Sequence, residues 1–335
     1  MSTLRTLVSR LLPPATRRAA IWAEVGMLER LRGGALGPLV HPFLLRKYRA
    51  RPEEIDIEVT SSCDADCIMC PRRSMRRVAG PMAMPLFHAI VDEAVSLGVR
   101  DLCLNGYGEI ATLRNYRDYL GYIRTRSSTI RILINTNGMR LTEDLAAAFI
   151  DHGVDIVNIA IDGATAQTYE SIRRYLKLDV VDANVKRFVA MRNASGKTRP
   201  YIMVNMIQMP ENAHEADAFI AKWKGIPDYA GLAGVVSRGG SIDVPRTKAD
   251  WSSTPCFLLW RQMPILSDGT VAMCCDDWDG TSGLGNVATG GIRAIWSSPA
   301  HERFRRIHLE GRAEELDLCR GCQSPRPPPW WFRAV

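Results

Sequence analysis

The sequence predicts an α/β protein built from parallel βα units, followed by a small cysteine-rich region. Short apolar runs alternate with longer segments of helical periodicity between residues 54 and 240, which is the pattern of repeated strand–helix units. Beyond residue 250 the alternation stops, and five of the nine cysteines lie there. These two observations separate a large βα region from a smaller region organised around cysteine.

Six predicted strands are separated by helical segments. The predicted strands are residues 55–59, 101–105, 130–135, 156–161, 201–207 and 232–237. The predicted helices are residues 86–97, 116–126, 143–151, 182–191 and 213–224. Parallel strands joined by right-handed crossovers form either a barrel or a doubly wound sheet, and the alternation alone does not choose between them.

Residues 1–50 precede the alternation and are predicted to be a basic helical extension. They carry a formal charge of +7, as does the whole chain, so residues 51–335 are formally neutral. Apolar side chains such as Trp22 and Leu28 recur at helical spacing. Such a segment can dock on its own domain, touch an anionic membrane surface or bind a partner protein. Docking is the favoured interpretation, because the apolar side chains need cover.

The composition places the chain among globular proteins, with 46% hydrophobic and 24% charged residues. No apolar run has the roughly 18 residues of a membrane span, and no secretory signal is evident. Nine cysteines in closely spaced groups favour metal binding in a reducing compartment over a disulfide framework. We therefore expect a cytoplasmic protein, and the neutral body argues against a nucleic-acid partner.

Three cysteines follow the first predicted strand with the spacing C-x3-C-x2-C, namely Cys63, Cys67 and Cys70. Thiolates this close in sequence can converge on one soft metal centre. A structural zinc site takes four protein ligands, whereas a [4Fe–4S] cluster held by three cysteines leaves one iron open to a small molecule. A zinc knuckle completed by a distant ligand is the alternative interpretation.

Four cysteines in the C-terminal region can form a second centre. Cys319 and Cys322 are a C-x2-C pair, and a predicted hairpin turning on Asp268-Gly269 separates Cys256 from Cys274. Four thiolates complete the coordination shell of Zn²⁺ or of an Fe–S cluster, and the chemistry alone favours zinc. Of the remaining two cysteines, Cys103 is interpreted as a buried apolar residue.

The Cys63–Cys70 motif at a strand end resembles the signature of the radical SAM superfamily. Tyr107-Gly108-Glu109 after the second strand and Asn135-Thr-Asn-Gly138 after the third also carry the resemblance. It implies a partial (β/α)6 TIM-like barrel, here residues 51–240. It further implies a [4Fe–4S] cluster that binds S-adenosylmethionine (SAM) and cleaves it reductively to a 5′-deoxyadenosyl radical, which abstracts hydrogen from a substrate.

The same resemblance implies where SAM is bound. The implied SAM contacts are Met69, Tyr107, Gly108, Glu109, Asn135, Asp162, Arg173 and Asn205. Asp162 would contact the ribose hydroxyls, and Arg173 the SAM carboxylate or the substrate. The sequence departs from the family pattern at two positions, because Tyr107 replaces the first glycine of a Gly-Gly-Glu motif and Ile110 replaces the proline after it.

Residues 241–335 resemble the SPASM/twitch extension of radical SAM enzymes. Cys256, Asp268-Gly269, Cys274, Gly285-Asn286 and the Cys319–Cys322 pair carry this resemblance. It implies one auxiliary [4Fe–4S] cluster ligated by Cys256, Cys274, Cys319 and Cys322, and it reverses the preference for zinc. Cys275 is left over and is interpreted as a packed thiol beside that cluster.

An auxiliary cluster saturated by four cysteines is better suited to electron relay than to substrate binding. We therefore expect oxidation of a secondary alcohol of an aminocyclitol, sugar or nucleoside to a ketone, with a flavodoxin- or ferredoxin-type electron donor. The catalytic residues are not identified, and Arg173 and Cys275 are the candidates. Four arginines after Cys70 (Arg72, Arg73, Arg76 and Arg77) form either an anion contact or a solvated basic loop.

Two other functions remain open. The same machinery in relatives modifies peptides and proteins by epimerisation, cross-linking or oxidation of Ser or Cys, and an epimerase would need a hydrogen-donating thiol such as Cys275 or Cys103. A non-enzymatic zinc adaptor would use the basic N-terminus and the proline-rich residues 325–331 for partners.

Overall fold

The computed structural model describes residues 50–77, 80–234, 255–320 and 322. The predicted N-terminal extension lies outside the described residues except for Ala50. The proline-rich tail and most of the segment that joins the two predicted regions also lie outside them.

Nine strands are found among the described residues. They are β1 (Glu54–Ile57), β2 (Asp66–Cys67), β3 (Asp101–Leu104), β4 (Arg131–Thr136), β5 (Ile156–Ala160), β6 (Arg173–Arg174), β7 (Tyr201–Gln208), β8 (Tyr229–Gly234) and β9 (Gln262–Ile265). Seven of them form one sheet in the order β8-β7-β5-β4-β3-β1-β9, with every neighbouring pair parallel. β2 and β6 form a separate antiparallel pair.

Helices follow the strands and cover the sheet. In the βα region they are α1 (Met84–Leu97), α2 (Tyr116–Arg126), α3 (Glu143–Asp151), α4 (Ala166–Ile172), α5 (Leu178–Ala194) and α6 (Ala216–Trp223). In the C-terminal region they are α7 (Leu258–Arg261), α8 (Val287–Gly290), α9 (Ile292–Trp296), α10 (Pro299–Leu309) and α11 (Asp317–Arg320). None of the described helices has the length and hydrophobicity of a membrane span.

The strand order explains why this sheet is a partial barrel. From β1 to β8 the neighbours follow chain order, so each right-handed crossover places its helix on the same side and the sheet curls in one direction. A doubly wound sheet would reverse its strand order part of the way along. Among the described residues β8 and β9 do not pair, which leaves the barrel open. The predicted partial (β/α)6 architecture is confirmed.

The predicted strands and helices are present with ends shifted by a few residues. The largest shift is in the last barrel strand, predicted at residues 232–237, because β8 begins at Tyr229. Helix α4 was not predicted, because its seven residues offer little apolar periodicity. It begins at Thr165, whose hydroxyl accepts the backbone N–H of Thr168. The two-residue strands β2 and β6 were also not predicted, since so short a pair leaves no pattern.

The C-terminal region joins the main sheet. Strand β9 pairs with β1 in parallel, with Glu54 opposite Gln262, an arrangement that the sequence analysis did not predict. The predicted turn at Asp268-Gly269 is present, and Leu266 N donates to Thr270 O at 2.9 Å. Gly269 has φ +87°, a left-handed conformation that glycine adopts without strain. The cysteine-rich region is thereby anchored directly beside the strand that leads to Cys63.

The inward face of β1 carries acidic side chains. Ile55 and Ile57 point into the apolar core, so Glu54 and Asp56 point the other way, toward the barrel interior. Glu54 accepts a hydrogen bond from Arg261 at 2.8 Å. Burial, reinforced by the charge of Glu54, raises the pKa of Asp56 well above its usual range. Asp56 therefore binds its proton more tightly in the folded protein than in the unfolded chain.

This arrangement predicts a pH-dependent stability that Asp56→Asn removes. Because the pKa of Asp56 is raised in the folded protein, Asp56 contributes to the free energy of unfolding at low pH. This contribution is fully present below the unfolded pKa of about 3.9 and is lost as the pH rises toward the folded pKa. The loss is at most about 1.4 kcal/mol per pH unit. We expect the urea-unfolding free energy of the wild type to fall, relative to that of Asp56→Asn, as the pH rises above about 3.9. The exposed Asp118→Asn serves as the control and should follow the wild type; parallel curves for Asp56→Asn and wild type would contradict the prediction.

Candidate active site

The loop from Cys63 to Cys70 lies beyond the carboxyl end of β1, where parallel barrels place their active sites. Arg72 holds its path, because Nη1 donates to the carbonyl oxygens of Ala65 at 2.8 Å and Cys63 at 3.3 Å. The Cys63 sulfur accepts the backbone N–H of Ala65 at 3.5 Å. Burial raises the pKa of the Cys63 thiol to about 11. All three cysteines of the motif are half-buried, so their sulfurs are neither sealed in the core nor fully solvated.

Arg173 is brought to this loop by the β2–β6 pair. Pairing of β2 with β6 sets Cys67 opposite Arg173, and Nη1 of Arg173 lies 3.7 Å from the Cys67 sulfur. The other edge of the guanidinium bonds Asp162 Oδ2 at 2.7 Å. Asp162 is fully buried, and its Oδ1 accepts the backbone N–H of Ile207 at 2.8 Å. Both residues predicted to touch SAM are therefore tied to each other, and one of them faces a cysteine sulfur.

Gly108 and Glu109 follow β3 and contact the segments that follow β1 and β4. A Cβ on Gly108 would lie 2.1 Å from the carbonyl oxygen of Thr60, so this position requires glycine. Gly108 thus packs directly against the chain's own backbone. Glu109 is buried and accepts hydrogen bonds from Asn137 N at 2.7 Å and Thr136 Oγ1 at 2.8 Å. Burial raises the pKa of Glu109 to about 7, and these hydrogen bonds oppose the rise.

Three asparagines form a row across the inward face of the sheet. Asn205 on β7 donates to Asn158 on β5 at 2.5 Å, and Asn158 donates to Asn135 on β4 at 2.8 Å. Both residues predicted to bind SAM in this row, Asn135 and Asn205, are thus connected through Asn158, which the sequence analysis did not identify. Met69, another predicted contact, packs elsewhere, against Ile172 and Met209. Their contacts with SAM remain predictions.

Arginines after Cys70 mostly have partners within the protein. Arg73 pairs with Asp66, while Arg77 forms a two-pronged ion pair with Glu58, one contact measuring 2.6 Å. Arg73 and Arg76 are the exposed members of the group. Structural pairing therefore accounts for two of the four arginines, and Arg72 serves the cysteine loop.

Glu58 connects the cysteine loop to the C-terminal region. In addition to Arg77, it accepts the backbone N–H groups of Tyr107 at 3.0 Å and Ser267 at 3.2 Å. The Tyr107 hydroxyl donates to the carbonyl oxygen of Cys275. The replacement of a glycine by Tyr107 in the family motif thus has a structural role, because its side chain reaches the C-terminal region.

The four C-terminal cysteines line one small cavity. The cavity wall consists of Cys256, Leu258, Leu259, Met273, Cys274, Asp276, His308, Leu318, Cys319 and Cys322. Cys275 is not among the residues of this wall, and its interpretation as a packed thiol stays a prediction. The Cys274 sulfur accepts the backbone N–H of Asp276 at 3.4 Å, the type of N–H···S contact that surrounds bound Fe–S clusters.

A larger cavity of about 600 Å³ lies between the segment that contains Arg76 and Arg77 and the C-terminal region. Its wall consists of Ser74, Arg76, Arg77, Asp276, Asp277, Trp278, Asp279, Thr281 and Leu318. Its volume is in the range of small-molecule sites. Because Asp276 and Leu318 line both cavities, the larger one adjoins the four-cysteine centre.

Comparison with protein families identifies both parts of the chain. The Radical SAM superfamily matches residues 57–221, and SPASM, an iron–sulfur cluster-binding domain, matches residues 256–323. The chain belongs to the radical SAM superfamily and ends in a SPASM domain. Membership in these families implies a [4Fe–4S] cluster and SAM in the barrel and auxiliary Fe–S chemistry in the C-terminal region.

Individual relatives cover different shares of the chain. The S-adenosyl-L-methionine-dependent 2-deoxy-scyllo-inosamine dehydrogenase of Niallia circulans is 22% identical over 274 residues, 81% of this chain and 92% of the dehydrogenase. The tungsten-containing aldehyde ferredoxin oxidoreductase cofactor-modifying protein of Pyrococcus furiosus is 28% identical, over 47% of this chain and 44% of that protein. The similarity to the dehydrogenase extends across the barrel and the cysteine-rich region.

Solved structures confirm the fold. BtrN in complex with AdoMet and 2-DOIA superposes with a TM-score of 0.57 at 19% identity, covering 82% of this chain and 93% of BtrN. Streptococcus suis SuiB bound to precursor peptide SuiA gives a TM-score of 0.62 at 14% identity, covering 79% and 70% of the two chains. At these identities the likeness establishes architecture and leaves the substrate open.

The donor sets fit the two centres that the families imply. Three half-buried thiols with N–H donors nearby suit a cluster with one open iron, and four thiols around one cavity suit a closed cluster. The sequence analysis missed Glu58, Trp278 and His308. Acidic alternation along β1 could have indicated Glu58, whereas no sequence pattern indicates the other two.

Proposed function

We propose that this radical SAM enzyme oxidises a secondary alcohol of an aminocyclitol, sugar or nucleoside to a ketone. The observation that carries the proposal is the presence of one three-cysteine loop and one cavity lined by four cysteines in the same chain. Converting a carbinol to a ketone removes a hydrogen atom, a proton and an electron. A second redox centre beside the substrate cavity supplies the acceptor that the last electron needs.

The cysteines divide between the two centres. Cys63, Cys67 and Cys70 would hold the SAM-binding [4Fe–4S] cluster, and Cys256, Cys274, Cys319 and Cys322 would hold one auxiliary [4Fe–4S] cluster. When bound, these groups supply a hydrogen-abstracting radical and an electron acceptor. Arg173, held in place by Asp162, places a positive charge at the Cys67 sulfur and offsets thiolate charge there.

The larger cavity, which adjoins the four-cysteine centre, suits a hydroxylated ring that carries an amine. Trp278 offers an aromatic face for the C–H side of a saturated ring, and Asp276 and Asp279 offer carboxylates for hydroxyl or ammonium groups. Asp279 already accepts the backbone N–H of Arg76 at 2.9 Å, which fixes its orientation. The polar wall around one aromatic side chain favours a small polar substrate.

The relative whose similarity spans both regions supports the same substrate class, since its name specifies an aminocyclitol dehydrogenase. We further propose a flavodoxin- or ferredoxin-type electron donor and a reducing, cytoplasmic setting. All nine cysteines fall within the described residues, and none forms a disulfide there.

Deuterium transfer tests the reaction. We expect anaerobically reconstituted enzyme, given SAM, a chemical reductant and 2-deoxy-scyllo-inosamine deuterated at its carbinol carbons, to form the ketone and deuterated 5′-deoxyadenosine, both detectable by mass spectrometry. A panel of sugars and nucleosides treated in the same way would define the substrate class. If peptides were turned over and the hydroxylated ring compounds were not, the result would overturn the proposal and favour peptide modification.

Variants of the cavity connect the reaction to this site. Trp278→Ala is expected to raise KM for the hydroxylated substrate about tenfold, equivalent to about 1.4 kcal/mol of lost ring contact. Trp278→Phe keeps an aromatic face and serves as the matched control, with KM near that of the wild type. Equal KM values in all three proteins would show that the substrate binds elsewhere.

A further inference from the structure

A histidine lies between two of the four C-terminal cysteines. His308, on α10, is 2% exposed and belongs to the wall of the four-cysteine cavity. Its Nε2 lies 3.4 Å from the Cys319 sulfur, and its Nδ1 lies 3.4 Å from the backbone nitrogen of Cys256. One imidazole therefore contacts both Cys256 and Cys319.

These two contacts determine where the imidazole carries its proton. The backbone N–H of Cys256 can only donate, so Nδ1 of His308 must accept and is unprotonated. The proton of the neutral ring is then on Nε2, which faces the Cys319 sulfur. In this tautomer His308 can donate Nε2–H to the sulfur of Cys319.

The helix that carries His308 is held firmly in place. Arg305, one turn earlier on α10, donates to the carbonyl oxygens of Leu259 and Trp296, each at 3.0 Å. Its guanidinium also stacks over the Trp296 ring, 4.4 Å from the ring centre. Arg305 thus docks α10 against α7 and α9, and α7 begins two residues after Cys256. This docking fixes the imidazole relative to both cysteines.

We infer that His308 tunes the auxiliary centre by donating Nε2–H to the sulfur of Cys319, which raises the centre's reduction potential. An N–H···S hydrogen bond stabilises the more negatively charged, reduced form of a cluster more than the oxidised form. The inference rests on the proposed role of the four cysteines as the holders of an electron-accepting cluster. His308 is therefore a positioning residue for electron transfer, since it acts through Cys319 and touches no substrate.

An EPR-monitored redox titration tests this role in full-length, reconstituted protein. The variants carry Cys63, Cys67 and Cys70→Ala, so that only the auxiliary centre gives a signal. His308→Leu is expected to weaken reduction about tenfold in equilibrium constant, the effect of one hydrogen bond to a charged group. That factor corresponds to about 59 mV for a one-electron couple. His308→Gln, whose amide can present N–H near the position of Nε2, is expected to recover most of the potential.

Iron content and ¹⁵N-histidine hyperfine spectra separate the alternatives. The inference requires about four irons in all three proteins and a weak ¹⁵N coupling that His308→Leu abolishes. Loss of iron in His308→Leu together with a strong coupling would make His308 a ligand and overturn the inference. Unchanged potentials, or equal shifts in His308→Leu and His308→Gln, would also overturn it. Absence of iron from the parent protein would instead remove the proposed function on which the inference rests.

Discussion

Replacing Cys63, Cys67 and Cys70 together with alanine is expected to lower the iron content from about eight to about four atoms per chain. The remaining iron should belong to the C-terminal centre, because the four cysteines that line its cavity are untouched. Iron and sulfide analysis with EPR on anaerobically reconstituted protein measures this. SAM should perturb the EPR signal of the wild type and leave that of the triple variant unchanged, since only the three-cysteine centre has an open iron.

Two controls sharpen the iron measurement. Cys103→Ala removes a buried cysteine that we assign to neither centre, and it should keep about eight irons. Replacing Cys256, Cys274, Cys319 and Cys322 should remove the iron of the C-terminal centre and keep the response of the EPR signal to SAM. A wild type with about four irons, all lost in the triple variant, would leave the C-terminal site without a cluster. The electron-relay argument, and with it the dehydrogenase proposal, would then fail.

Arg173→Met is expected to lower the free energy of unfolding by about 3–5 kcal/mol, because it leaves Asp162 buried without its cation. The ion pair is almost wholly shielded from water, so solvent cannot replace the lost guanidinium. Urea unfolding of the cluster-free protein measures the effect. The double variant Asp162→Asn/Arg173→Met should recover much of the loss, since it removes the stranded charge as well.

An exposed ion pair near Cys67 and Cys70 provides the matched control. Arg73 pairs with Asp66, yet the Arg73 side chain is 64% exposed, so Arg73→Met should cost less than about 1 kcal/mol. Equal destabilisation by Arg173→Met and Arg73→Met would contradict the interpretation of Arg173 and Asp162 as a buried unit. If the double variant were as unstable as Arg173→Met alone, lost packing and not charge would explain the loss.

Much of the barrel could be predicted from local patterns. The spacing of apolar residues within a segment distinguishes a strand from a helix. β3, β5 and α3 therefore lie where this spacing predicts them. The three-cysteine loop could also be located, because its ligands are close in sequence and follow directly from a strand. For the C-terminal cysteines, composition alone left zinc and iron open, and only the family resemblance favoured iron.

The pairing of distant residues could not be predicted in this way. The contact of Asp162 with the SAM ribose stays a prediction, and the structure adds that its buried carboxylate pairs with Arg173. Glu109 is likewise predicted to contact SAM, and its carboxylate accepts hydrogen bonds from Thr136 and Asn137 at the end of β4. The sequence pattern of a carboxylate at a strand end is the same whether the carboxylate faces a ligand or a neighbouring loop. Only the tertiary fold assigns its partner.

The sequence by itself determined the class of protein and the two groups of cysteines, because short-range spacing encodes both helical period and ligand geometry. Tertiary structure alone decided three further points: that β9 joins the sheet beside β1, that Glu58 links the cysteine loop to the C-terminal region, and that His308 faces Cys319. Each of these contacts joins residues whose relation depends on how whole elements pack. Packing is set by the burial of many side chains at once, and no single stretch of sequence contains that information.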